Sequence, residues 1–508
     1  MKETADPPKT LSRLLLSIGP GLIVAGSIVG SGELIATTKT GAEAGFSLLW
    51  LIVLGCVIKV FAQIEFGRYA IISGKTTLRA LDEVPGPRFR GRGNWLVWYW
   101  LVMWLASISQ LGGIVGGVGQ ALSITAPLST QGSQYNEIAD AEQLRRFQSF
   151  SGNAEGVEAE STVVADTDDD AWSTYDQTYE RTDDDARAIP PDTAIWAIII
   201  SIATSVILVL GRYNLIQSFS TALVASFTLL VVINVIWLQN VEDFSFSASE
   251  VLSGFRLSLP TGQDGGRPVA TALATFGIIG VGAAELVTYP YWCLEKGYGS
   301  HVGKNDGSAE WKKRASGWMR VMHFDAWGSM VIYTFATIAF YLMGASVLHR
   351  IGLNPEKSEM VRTLAVMFRP VFSDWAAGVF LFGAIAVLYS TFFVANASHA
   401  RMFSDVLRVI GMIGSDEQTR ERWVTRLSGL FPILCVVIYL AFPSPAKLVL
   451  ISGITQGIML PMLGGAALYF RYAKSTEGME PGPIWDIFLW ISAFAMLVTG
   501  TWTVLECI

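Results

Sequence analysis

Two glutamates, Glu33 and Glu285, lie in the middle of long apolar stretches of this sequence. Each closely follows a Gly-X-Gly segment, at residues 30–32 and 280–282. A carboxylate inside a membrane costs about 3 kcal/mol unless a partner compensates its charge, and glycine disfavours a regular helix. Two interrupted membrane helices in corresponding halves of a chain indicate the binding site of a transporter. The two segments therefore predict a site in which carboxylates hold a cation or a proton.

Each glutamate also has a structural interpretation. Glu33 could instead cap the second half of its helix through backbone amides. Glu285 could be a buried carboxylate paired with a base or with a nearby tyrosine. Gln456 lies in another glycine-containing stretch, residues 452–457, and predicts either a third ligand or a hydrogen bond between helices.

Two further polar residues, His323 and Asp325, begin another apolar stretch. Together with the two glutamates they are the candidates for proton coupling, although a lone histidine in such a place is more often a hydrogen-bonded structural residue. Arg68 follows Glu65 at helical spacing inside an apolar stretch, which predicts a structural ion pair.

The composition is that of a polytopic membrane protein. Of 508 residues, 51% are hydrophobic and 16% are charged, whereas soluble domains carry about 25% charged residues. Mean hydropathy is +0.43. About eleven windows of ~20 apolar residues are present. They fall at 14–40, 46–73, 95–124, 191–211, 215–238, 268–295, 320–345, 372–400, 427–443, 446–470 and 484–506.

Basic residues concentrate in alternate loops, beginning with the segment before the first apolar window. Because positive loops face the cytoplasm, this alternation predicts a cytoplasmic N-terminus and an external C-terminus. We expect an integral protein of a bacterial inner membrane, with the lipid bilayer as its surroundings. The predicted divisions are a cytoplasmic N-terminus 1–13, helices 1–3 at 14–124, an acidic external insertion 125–190, helices 4–5 at 191–238, helices 6–10 at 268–470 and helix 11 at 484–508.

The insertion carries two Asp-Asp-Asp runs, at 168–170 and 183–185, and little aliphatic sequence. This predicts a solvated loop, or alternatively a surface that attracts cations. The amphipathic stretch 359–368 is predicted to lie on the outer membrane surface. The sequence contains neither a nucleophile–histidine constellation nor a cofactor motif, so we expect no enzyme, no cofactor and no nucleic-acid partner.

Short motifs along most of the chain resemble the Nramp family of proton-coupled divalent-metal transporters. They are Gly19-Pro20-Gly21, Val24-Ala25 and the segment 41–50 in helix 1, Gln63, Arg68 and Ile72-Ser73-Gly74-Lys75 in helix 2, Asp325 in helix 7, and Leu460-Pro461 in helix 10. The resemblance implies an all-α LeuT-type fold of two inverted five-helix repeats plus extra helices, with helices 1 and 6 broken.

The site residues depart from that family. Where its helix 1 has Asp-Pro-Gly-Asn, this sequence has 30–33, Gly-Ser-Gly-Glu; where its helix 6 has Met-Pro-His, this sequence has 284–286, Ala-Glu-Leu. Ala106 and Ser109 stand where the family has acidic residues on helix 3. This sequence lacks the methionine of that motif, whose thioether is a soft ligand, and its absence favours a hard ion such as Mg²⁺, Mn²⁺ or Ca²⁺. Because two carboxylates repel each other, one could carry a proton in the empty site, which offers proton coupling.

We therefore predict a secondary transporter of a small hard divalent cation that works by alternating access, with H⁺ as a coupling ion. Its predicted ligands are Glu33, Glu285, Gly30, Val281, Gly282 and Gln456. The alternative is a transporter of a small organic solute, because the Gly-Ser-Gly segment also resembles the helix break of amino-acid permeases. A non-transporting sensor is a third possibility.

Overall fold

The computed structural model describes residues 4–150, 190–210, 213–260, 266–356 and 359–506. Within these ranges, ten helices are long and apolar enough to cross a membrane. The predicted window 215–238 corresponds to a further helix, Tyr213–Leu238, which we number span 5. The polytopic all-α fold predicted from the sequence is confirmed.

The eleven spans are Pro20–Ala44, Leu49–Ser73, Trp95–Thr125, Asp192–Val209, Tyr213–Leu238, Arg267–Lys296, Ala309–Ile351, Ala376–Val409, Glu417–Ala441, Pro445–Ala473 and Pro483–Glu506. Shorter helices are Leu11–Ser17, Thr77–Leu81, Thr130–Phe150, Ala248–Ser253, Tyr298–Val302, Met360–Val366, Arg369–Phe372 and the 3₁₀ turn Ser373–Trp375. Two antiparallel strands, Arg88–Phe89 and Arg92–Asn94, form a hairpin after span 2. Span 3 is built from Trp95–Ser107 and Ser109–Thr125, and span 7 ends in a π-helical turn, Gly344–Leu348, followed by His349–Ile351.

Span 1 is interrupted at the predicted place, but it remains helical. Pro20–Ile28 is an α-helix, Val29–Thr37 is a π-helix and Thr38–Ala44 is again α-helical. The hydroxyl of Thr37 donates to the carbonyl of Gly32, five residues earlier, at 3.0 Å. The expected unwound segment is therefore a widened helix. Such π-helical stretches are rare and occur frequently at functional sites.

Span 6 is broken as predicted. Its halves, Gly266–Ile278 and Ala283–Lys296, are separated by a non-helical turn. Gly280 in this turn has φ +57°, and a Cβ at that position would lie 2.8 Å from the Cα of Cys56 in span 2. The turn therefore needs a residue that adopts a left-handed backbone and has no side chain.

The loops rich in basic residues share one face of the bundle with the N-terminus. Ala5 donates its amide to the carbonyl of His301 at 3.1 Å, which joins the N-terminal segment to the loop between spans 6 and 7. Lys474, after span 10, forms an ion pair with Glu83, after span 2, at 3.0 Å. A Cβ at Gly478, after span 10, would lie 3.5 Å from Nζ of Lys312, in the first turn of span 7, so the two pairs of segments lie on a common face.

Two expectations about the opposite face need correction. The insertion begins with an ordered helix, Thr130–Phe150, while its two Asp-Asp-Asp runs lie outside the described residues. The stretch expected on the membrane surface forms Met360–Val366, and its side chains are buried. Arg362 explains this burial because it bonds Asn136 at 2.7 Å and pairs with Asp140, both on the insertion helix.

Candidate functional site

The interruptions of spans 1 and 6 lie against each other. A Cβ at Gly32 would be 3.1 Å from the carbonyl oxygen of Ile278, the last residue of the first half of span 6. Glycine at this position allows the two backbones to approach closely. Glu33 follows directly and is completely buried. The structure therefore places one predicted carboxylate at the contact between the two interrupted spans.

One oxygen of the Glu33 carboxyl group lacks a partner. Thr337 in span 7 donates its hydroxyl to Oε1 at 3.0 Å, whereas Oε2 has no hydrogen-bond partner within the described residues. A buried charged group without partners loses several kcal/mol of hydration, so such an oxygen is suited to receive a proton or a cation. The capping alternative is not supported, because span 1 stays helical and leaves no free half-helix start.

Glu285 lies in the first turn of the second half of span 6 and is 9% exposed. A Cβ at Gly282 would lie 2.5 Å from its Oε2, so the carboxylate folds back over the turn. A helix N-terminus stabilises a negative charge. The charge of Glu285 acts on Glu33, and the charges of both carboxylates act on Lys59. The two predicted carboxylates thus belong to one electrostatic cluster.

Gln456 reaches this cluster through a chain of side-chain amides. Its Oε1 accepts a hydrogen bond from the amide of Ala284 at 2.9 Å, and its Nε2 donates to Oε1 of Gln110 at 2.7 Å. Gln110 in span 3 in turn donates to the hydroxyl of Ser31 at 2.6 Å. These contacts match the interpretation of Gln456 as a hydrogen-bonding residue between helices; its role as a ligand stays a prediction.

Gly30, Val281 and Gly282 were predicted to supply carbonyl oxygens. Gly30 lies in the π-helical part of span 1, where its amide donates to the hydroxyl of Thr391 in span 8 at 3.1 Å. Val281 and Gly282 lie in the turn that precedes Glu285. Both segments border the cluster, and the ligand role of their carbonyls stays a prediction.

The structure does not bring Asp325 and His323 into this cluster. Asp325 accepts hydrogen bonds from the amides of Gly19 and Gly21 at 2.8 and 2.6 Å, and therefore caps the start of span 1. It precedes Thr337 by twelve residues of one helix, which is about 18 Å along the axis. The ring of His323 packs against Trp485, with 5.5 Å between ring centroids. These contacts do not support their assignment to proton coupling at this site.

The sequence patterns did not identify Lys59 as a member of this cluster. Lys59 in span 2 is fully buried, and its Nζ donates to the carbonyl oxygens of Phe276 and Ile279 at 2.7 and 2.6 Å. The sequence did indicate that Lys59 needs a partner from another helix, because no acidic residue lies three or four positions away in its own helix. The predicted ion pair of the same span is confirmed, with Arg68 and Glu65 joined at 2.7 Å.

The donor set is small. Within the part of the chain that the structure describes, no group of three or more His, Cys, Asp or Glu side chains is arranged to hold a metal ion. The cluster offers two carboxylates, one ammonium group and neutral oxygens. Any cation bound here would have to complete its coordination with backbone carbonyls or water.

Comparison with known proteins relates the chain to metal transporters. The sequence model of the family described as natural resistance-associated macrophage protein-like, Nramp, matches residues 188–506, more than half of the chain. This match begins after span 3 and so includes Glu285 but not Glu33.

Two curated plant proteins align over a shorter length. "Metal transporter Nramp2" of Populus trichocarpa is 27% identical over 119 residues, 23% of this chain and 20% of that protein. "Metal transporter Nramp3" of Arabidopsis thaliana is 27% identical over 121 residues, 23% of this chain and 22% of that protein. The chain thus spans only about a fifth of the length of these relatives.

A manganese transporter of Eremococcus coleocola, solved with an aromatic bis-isothiourea substituted compound, has a similar fold. Its TM-score is 0.58 at 15% identity, and the superposition covers 98% of this chain and 88% of that one. This likeness confirms the LeuT-type architecture predicted from the sequence. On the family match together with this fold, the chain is a member of the Nramp family of integral membrane proteins.

Proposed function

We propose that this protein carries a divalent metal cation across a membrane by alternating access, with Glu33 and Glu285 as its charged ligands. The observation that carries the proposal is the unpartnered Oε2 of Glu33, buried where the interrupted spans 1 and 6 touch. Interrupted spans that meet in this way form the substrate sites of LeuT-type transporters. Membership in the Nramp family and the names of the plant metal transporters support a metal as the substrate.

We further propose that the preferred substrate is a hard, partly hydrated cation, with Mg²⁺ first and Mn²⁺ and Ca²⁺ as competitors. Mg²⁺ keeps several water ligands and commonly binds through one or two carboxylates. The two glutamates match that need, whereas a soft ion would favour sulfur or imidazole ligands. Carbonyls of Gly30, Val281 and Gly282 are the proposed neutral ligands. Coupling of metal transport to proton movement is part of this proposal.

The test is uptake of Mg²⁺, Mn²⁺ and Ca²⁺ into proteoliposomes, with internal pH followed, for the wild type and Glu33→Gln. We expect the variant to fall to background for every metal, because the amide cannot supply the negative charge. Its folding should be retained, since the neutral amide still accepts the hydrogen bond of Thr337. Glu310→Gln, at an exposed position in the first turn of span 7, is the control and should transport normally.

Unchanged uptake in Glu33→Gln would contradict the site assignment. No flux of any metal through the folded wild type would contradict metal transport and direct the search to small organic solutes. The Gly-Ser-Gly segment gives that alternative little support, because its backbone is helical and does not present free amides.

A further inference from the structure

The first half of span 6 ends inside the bundle. The last carbonyl groups of an α-helix have no partner within the helix, and they carry the negative end of its dipole. Such carbonyls need a donor or a cation when they are buried away from water. In this protein Phe276, in the last turn of the helix, and Ile279, the first residue after it, present two such oxygens at the turn that contains Gly280.

Lys59 supplies the positive charge at this place. Its Nζ lies 2.7 Å from the oxygen of Phe276 and 2.6 Å from the oxygen of Ile279, and the whole residue is 0% exposed. Residues 55, 56, 62 and 63 of its own helix offer no carboxylate. The position of the ammonium group is therefore explained by carbonyls from another span rather than by an ion pair within span 2.

Rings and clusters of backbone carbonyls are also the ligands that membrane proteins use for alkali cations. An ammonium group and an alkali ion carry the same charge, and both are held by carbonyl oxygens. The two oxygens at the end of the first half of span 6 would serve either one.

We propose that this carbonyl end is a monovalent-cation site that the protein fills permanently with its own Lys59. A built-in ammonium removes the need for a dissociable sodium or potassium ion at this position. When both glutamates are ionised, it also lowers the net formal charge of the cluster from two negative charges to one, and an entering substrate meets the field of that charge. Only this last consequence rests on the proposed function.

Thermal unfolding of the purified full-length protein in detergent tests the proposal. Lys59→Ala removes the ammonium and leaves space, whereas Lys59→Met removes the charge but fills the space with a neutral chain. Each protein is titrated with lithium, sodium or potassium chloride, and choline chloride keeps the ionic strength constant. We expect a saturable rise of the melting temperature of about 2–4 °C in Lys59→Ala for at least one alkali ion. Wild type and Lys59→Met should show no such rise.

The absence of alkali-specific stabilisation in folded Lys59→Ala would overturn the proposal. So would failure of Lys59→Ala to fold in every alkali salt, because a bound ion should replace the missing ammonium. An equal rise in all three proteins would show a general salt effect and would also overturn it. Since this readout does not depend on transport, a wild type that moves no metal would contradict the proposed function and leave this result standing.

Discussion

Gly280 is the residue on which the break of span 6 depends. Its φ of +57° is unfavourable for residues with a side chain, and an added Cβ would meet the backbone of span 2, 2.8 Å from the Cα of Cys56. Backbone atoms cannot move aside as the end of a flexible side chain can. The left-handed backbone and the close contact with span 2 therefore both disfavour a residue with a side chain at this position.

We expect Gly280→Ala to lower the free energy of unfolding by about 2–4 kcal/mol, because strain and steric overlap add. Gly465→Ala is the matched control. Gly465 lies within the regular helix of span 10 and has open space where a Cβ would be, so alanine should be neutral or slightly stabilising there. Denaturation of both variants in detergent measures the difference. Equal stability of the two would show that the turn tolerates a side chain.

At the residue scale, the sequence identified the groups whose charge is anomalous in an apolar setting. Glu33 and Glu285 were found in this way because a carboxylate inside a membrane requires an explanation. Gln110 was missed, since an uncharged amide in span 3 does not stand out. The roles of Lys59 and Asp325 depend on backbone groups of other spans, and no spacing along the chain reveals such partners.

Among the elements, the loops after spans 2 and 10 are joined by Glu83. Tyr69 donates its hydroxyl to Oε2 of Glu83 at 2.6 Å, Lys474 pairs with the same oxygen at 3.0 Å, and Lys75 pairs with Oε1. Partial burial by itself raises the pKa of the Glu83 carboxyl group. The hydrogen bonds from Lys75, Tyr69 and Lys474 outweigh it and lower the pKa from 4.5 to about 2.

The lowered pKa of Glu83 predicts a pH-dependent contribution to stability. Since the unfolded chain binds the proton more readily, this contribution is complete above pH 4.5 and is lost as the pH falls towards about 2. We expect Glu83→Gln to melt below the wild type at neutral pH and the gap to shrink within that acidic window. Melting temperatures of both proteins across the window measure it. A gap that stays constant would show that the carboxylate charge contributes nothing to the junction.

The elements themselves were predictable to the extent that hydropathy and helix periodicity determine them. All eleven spans correspond to apolar windows. A segment in lipid must bond its backbone groups internally, so a long apolar window forms a helix. The form of the span 1 interruption was not predictable, because glycine permits both an unwound segment and a π-helix. The buried position of Met360–Val366 depends on partners in the insertion helix that are more than 200 residues away in sequence.

For the molecule as a whole, the distribution of charge between the two faces implies an orientation. The N-terminal segment and the loops after spans 2, 6 and 10 are rich in basic residues, and contacts between them show that they share a face. Positive loops stay in the cytoplasm. We propose that this face is cytoplasmic, that the C-terminus is external, and that the membrane is a bacterial inner membrane.

Single cysteines on the two faces test this orientation. The background carries Cys507→Ser, because the other three cysteines are buried. Asn305→Cys lies at an exposed position in the loop between spans 6 and 7, and Ser249→Cys lies at an exposed position between spans 5 and 6. We expect a membrane-impermeant maleimide to label Ser249→Cys in intact cells and Asn305→Cys only after permeabilisation. Because span 6 alone separates the two labelled positions, the reverse pattern would mean that the whole molecule is inverted and that the basic face lies outside.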